Sequence, residues 1–155
     1  MSRKVERELP WSWHRSPGWR GHLDRVRRWH DRLMVATRPV DVEDFSYAFF
    51  QACHSLRDWL PAGEFPPDWA GGFVNSNIEL RLCRDLSNMT KHFGLSRPPA
   101  TGREPSIARE YVGSGRGWFA DNSVLVVLSQ GRKFDMRELA SSCLRLWEEY
   151  LAKGG

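Results

Sequence analysis

The chain has 155 residues, a formal net charge of +4 and a composition that is 41% apolar and 27% charged, which fits one folded domain and excludes a chain too polar to build a core. No stretch reaches the eighteen or so uninterrupted apolar residues that a membrane-spanning helix needs, and MSRKVERELP lacks the apolar centre of a signal peptide, so the expected address is the cytoplasm with no membrane partner. The charge is uneven: residues 1–38 hold ten Lys and Arg against four Asp and Glu, so the front is basic and the remainder slightly acidic. A basic front can steer an RNA, a DNA or an acidic protein surface; a solvated helix face explains it equally.

Residues 1–18 carry prolines and tryptophans without sustained periodicity and read as an N-terminal arm. The globular domain is expected over 19–155, with the arm as a possible dock for a protein partner. A first helix is expected from Trp19 to Ala36, with Leu23, Val26, Trp29 and Leu33 on one side and Arg25, Arg27, Arg28 and Arg32 on the other. A second should start at the acidic cap Asp41–Asp44 and stop at Leu60, before Pro61. Its core stripe is Phe45, Phe49, Ala52, Leu56 and Trp59. The opposite face, Tyr47, Phe50, His54 and Asp58, is aromatic enough to predict cover on both sides.

Residues 61–75, containing PAGEFPPDWAGG, read as a loop, and a third helix is expected from Ser76 to Gly94, opened by a Ser76–Glu79 capping box. From Ser106 the period changes to alternation. Ile107, Arg109 and Tyr111 alternate with smaller or polar residues, Val124–Leu128 is rich in β-branched residues, and Gln130-Gly131 supplies a tight turn into Arg132-Lys133-Phe134. Asp135 with Glu138 caps the last helix, which runs to Leu151. The expected fold class is therefore α+β and mostly α: a four-helix, bundle-like core with a short antiparallel sheet inserted before the last helix.

Cys53, Cys83 and Cys143 lie far apart in sequence with no CxxC pair, and read as small reduced core residues. No metal ligand set and no cofactor motif is legible: there is no Walker lysine, HExxH or GxSxG. Gly113-Ser-Gly-Arg-Gly117 sits between strands with no helix behind it, so a hairpin loop is a better reading than a phosphate cradle.

The third helix, NIELRLCRDLSNMTKHF, is the segment that can carry chemistry. At roughly 100° per residue, Ile78, Leu82, Leu86, Met89 and Phe93 form an apolar stripe, and Arg81, Asp85, Asn88 and His92 a polar one along its edge, with Arg84 and Lys91 further round. A histidine at a core boundary can be oriented by neighbours and serve as acid or base, and the nearby cations can offset phosphate charge. The other reading of the same row is structural, with each residue bonded to a neighbouring element.

Arg84-Asp85 followed by His92 resembles the signature of the HEPN superfamily (higher eukaryotes and prokaryotes nucleotide-binding), small helical-bundle proteins that include metal-independent ribonucleases and toxins. In that family an Arg and a polar residue precede the His by four to six residues on one helix, and two protomers bring their motifs together. Here seven residues intervene. That eight-residue step places Arg84 and His92 roughly 12 Å apart along the axis and roughly 80° around it, too far for joint action in one protomer. CHSLRDWL and LCRDLSNMTKHF also look like a pattern of small uncharacterised bacterial proteins. The resemblance implies an RNA-directed homodimer, a toxin or defence effector, with His92 as acid or base, Arg84 as phosphate ligand and Asn88 or Asp85 orienting. Arg81 and Lys91 would add charge, and His54 with Asp58 would form a second polar pair facing the same cleft. The alternative is a non-catalytic module that docks a protein or nucleic acid through the basic, Trp-rich front.

Overall fold

The structure, a computed structural model, describes residues 18–61, 64–65, 69–92, 100 and 103–154, and of residues 69, 91, 92 and 154 the backbone alone. The expected arm and Phe93 lie outside these residues. Five α-helices and one antiparallel sheet follow in the order α1 (Trp19–Val35), α2 (Pro39–Ser55), α3 (Trp69–Ser76), α4 (Ile78–His92), β1 (Ser106–Tyr111), β2 (Ser123–Ser129), β3 (Arg132–Asp135) and α5 (Met136–Gly154). The fold is mostly helical α+β, with a three-stranded sheet before the final helix. None of the described helices is long and apolar enough to cross a membrane.

α2 is the hub, packed by α1, α4 and α5. Its Phe49, Phe50 and Cys53 are buried, and so is His54 on the aromatic face, so the helix is covered on both sides along this stretch. Tyr47, towards its start, stays exposed. Pro39 starts the helix, two residues earlier than the acidic cap implied, because proline's fixed φ and missing N–H suit a first turn. The helix tightens to a 3₁₀ turn over Leu56–Trp59, which breaks the helical phase before Leu60.

The segment read as a loop contains α3. Its Gly71 and Gly72 signal a breaker, but Phe73 stacks on Tyr150 at 4.1 Å and meets Trp147 edge-on at 5.3 Å, so tertiary packing overrides local propensity. The expected capping box is absent. Ser76 ends α3 and donates to Phe73 O at 2.9 Å, and Asn77 separates the two helices.

The sheet has the order β1-β2-β3. β1 runs antiparallel to β2 from Ser106↔Leu128 to Tyr111↔Ser123, and β2 pairs with β3 from Val126↔Asp135 to Ser129↔Arg132. Gln130 (φ 48) and Gly131 (φ 76) are both left-handed, as a two-residue type I′ hairpin turn requires. β3 leads directly into α5, where Asp135 accepts the Glu138 N–H at 2.9 Å and caps the helix as expected. Val127 and Met136 join the sheet to the helical core.

Candidate functional site

α4 is wedged among α2, α3 and α5, and this decides which of its polar residues stay available. Leu80, Leu82, Cys83, Leu86, Ser87 and Asp85 are all buried, so the buried sector is wider than a single apolar stripe. Asp85 is only 1% exposed, and its Oδ1 accepts the Ala100 N–H at 2.7 Å. The carboxylate therefore points inward and draws the chain back to α4 at Ala100. Arg84, one residue earlier, is half-buried and makes no ion pair among the described residues; Asn88 is likewise half-buried. Arg81 lies along α4 with Nη1 donating to Asn75 O at 3.4 Å, while its buried Nε has no hydrogen-bond partner. Lys91 and His92 occupy the last turn of α4, and their side chains fall outside the described residues. The row thus divides into an inward acid, Asp85, and two cations, Arg81 and Arg84, that make no ion pair among the described residues.

His54 and Asp58 do not form the expected polar pair facing one cleft. His54 is buried in α2 and engaged there, whereas Asp58 is exposed in the 3₁₀ turn and lies 3.7 Å from its neighbour Arg57. The loss of helical phase at Leu56 explains the separation. On α1, Arg28 and Arg32 are exposed and Arg25 is half-buried, with the Arg32 guanidinium 4.8 Å from the Trp29 ring centre. Arg27 is instead held by Asp24 at 2.9 Å and Glu148 at 3.2 Å. The glycine-rich segment is a hairpin loop whose Gly115 N–H is already bonded to Asn122 Oδ1 at 2.8 Å.

Three arrangements were invisible in sequence. Cys53, Cys83 and Cys143, all free and buried, come from α2, α4 and α5 to neighbouring places in the core. The Cys83 and Cys143 thiols also donate to Phe50 O (3.5 Å) and Glu79 O (3.3 Å). Burial pushes the Cys83 and Cys143 thiols above their ordinary pKa. Among the described residues no three His, Cys, Asp or Glu side chains are disposed to hold a metal ion. Second, His30 Nε2 shares a hydrogen bond of 2.8 Å with Ser141 Oγ. Third, His22 is buried, stacked on Trp59 at 4.6 Å, with Nε2 donating to Ala52 O at 2.8 Å. Its Nδ1 is buried without a partner, so desolvation holds the ring neutral and lowers its pKa.

No protein-family model, no curated protein and no solved structure matches the chain.

Proposed function

We propose that this chain is a HEPN-like, RNA-directed protein whose working surface is the C-terminal half of α4, and that it cuts RNA without a metal ion. The observation that supports this reading is the division of charge on α4. Asp85 is turned inward onto Ala100, which leaves Arg84 half-exposed with no acid paired to it among the described residues. A cation freed from its sequence neighbour suits a phosphodiester oxygen.

In the proposed chemistry His92 takes the proton from a ribose 2′-hydroxyl and the 2′ oxygen attacks phosphorus. The bond to the 5′ oxygen breaks, and that oxygen leaves with a proton from solvent, giving a 2′,3′-cyclic phosphate. Arg84 offsets the charge that develops on the phosphoryl oxygens, and Asn88, one turn before His92, orients the ring. Because the eight-residue step parts Arg84 from His92 by roughly 12 Å, the two act across a homodimer, each copy supplying one group to the other's site. Arg81 and Lys91 extend the phosphate track. Asp85 holds the chain that follows the helix.

The test is cleavage of a mixed RNA pool in EDTA by the wild-type protein beside His92→Ala and Arg84→Ala variants of matched circular dichroism. The expected result is cyclic-phosphate ends from the wild type and a loss of about a hundredfold or more in His92→Ala. Absence of cleavage by all three proteins removes the nuclease reading.

A further inference from the structure

We infer that the free edge of β1 is a docking strand for an extended peptide that places an acidic residue opposite Arg109 and apolar residues two positions to either side. This rests on the sheet, independently of the α4 surface.

β1 pairs with β2 on one side, and no described strand pairs with it on the other. Val112 N–H donates to Asn122 O at 3.0 Å in continuation of the β1–β2 ladder, so residues of even number direct their backbone groups towards β2. The N–H and C=O of Ile107, Arg109 and Tyr111 therefore point outward, a row of donors and acceptors ready for another strand. The side chains of the same three residues share one face, and Ile107 (41% exposed) and Tyr111 (68%) stand out of it uncovered.

That face is hollow. Ile107, Arg109 and Leu125 line a cavity of about 350 Å³, with Phe119 and Met136 buried in its wall and Tyr47 of α2 on its far side. Glu43, also lining it, accepts the Tyr47 hydroxyl at 2.9 Å. A strand added to β1 would hang alternate side chains over this hollow, so backbone bonds supply adhesion and the cavity selects the side chain. The charge argument fixes the rest. Arg109 lies 4.8 Å from the Phe119 ring centre and 3.5 Å from Asp121, a loose, half-exposed pair that leaves the guanidinium open to a second carboxylate.

The same charge argues against a second copy as the occupant. Antiparallel self-pairing centred on Arg109 would set like charges directly opposite, which destabilises a ladder, and centring it on Ala108 or Glu110 would set Arg109 against Ile107 or Tyr111, with no carboxylate to meet it.

The probe is the acetylated, amidated peptide Lys-Thr-Phe-Thr-Asp-Thr-Tyr-Thr-Lys, titrated into the ¹⁵N-labelled full chain and followed by NMR beside a scrambled peptide. The expected result is saturable shifts of the Ile107, Arg109 and Tyr111 amides, absent with the scrambled order. Arg109→Glu should weaken binding about tenfold or more, and a peptide with Lys in place of Asp should recover it. Shifts that map elsewhere, no shift up to about 1 mM peptide, or equal affinity in Arg109→Glu would each overturn the proposal. Broadening of the β1 amides that grows with protein concentration in the absence of peptide would overturn it in favour of a second copy.

Discussion

Replacing Asp85 by alanine separates a scaffold role from a chemical one. The carboxylate is 1% exposed and bonded to Ala100 N–H at 2.7 Å, so its removal leaves a backbone donor without its partner and a small buried void. A hydrogen bond to a charged group is worth roughly 1.5–3 kcal/mol. For a chain of this size that corresponds to a fall in melting temperature of roughly 4–10 °C. Asp85→Asn keeps an oxygen acceptor of the same shape and should retain about half of the loss or more. The assay is urea unfolding followed by Trp fluorescence, with wild type and both variants in one buffer. An Asp85→Ala midpoint equal to the wild type would refute the scaffold role and return the carboxylate to the chemistry on α4.

His22 predicts a pH dependence. Its folded pKa lies below the unfolded value near 6.5, so above that pH both states are neutral and its contribution is complete. As pH falls from 6.5 towards the folded pKa the unfolded state binds the proton first, and stability should decline; in His22→Gln that part of the slope should vanish in unfolding curves taken across the window. Gln130→Asn should raise stability by roughly 0.5–1 kcal/mol, because asparagine accepts the left-handed φ of 48° at that hairpin position more readily; an unchanged or lower denaturation midpoint would contradict it. Gly117→Ala should cost roughly 2 kcal/mol or more, since an added Cβ would overlap the backbone of Asn122 and Ser123, and a native-like melting temperature would rule that contact out. The three buried thiols should be silent to an aromatic disulfide reagent in the native protein and all react in urea.

Strong periodicity was legible where one face of an element meets the core and the other meets water. α1 buries Leu23, Val26 and Leu33, half-buries Trp29 and exposes Arg28 and Arg32 much as their spacing implied, and the strand alternation and the Gln130-Gly131 turn fixed the sheet to within a residue or two. The reading failed where an element is enclosed. α3 carries helix-breaking glycines and exists through ring contacts with α5, which no local pattern encodes. On α4 the wheel found the polar row but could not tell that Asp85 turns inward, because its partner, Ala100, returns from fifteen residues further along the chain. The convergence of the three cysteines is likewise a property of how α2, α4 and α5 cross, not of any one segment.

The polar residues of α4 and the edge of β1 make opposite demands on the fold. Arg84 can serve a phosphate only if Asp85 is withheld from it, and burying Asp85 is acceptable because Ala100 N–H meets the carboxylate inside. The β1 edge, by contrast, is paired by no described strand, and its donors and acceptors call for water or an added strand to satisfy them. Edges of that kind are usually blunted by charge. Arg109 is the one charged side chain on the outward-bonding row of β1, and it is drawn aside over Phe119 towards Asp121. Releasing it, as in Asp121→Asn, should therefore strengthen binding of the acidic peptide while leaving any action on RNA unchanged. An equal effect on both would mean that the two surfaces are coupled through α2, which packs against α4 and lines the cavity beside the sheet.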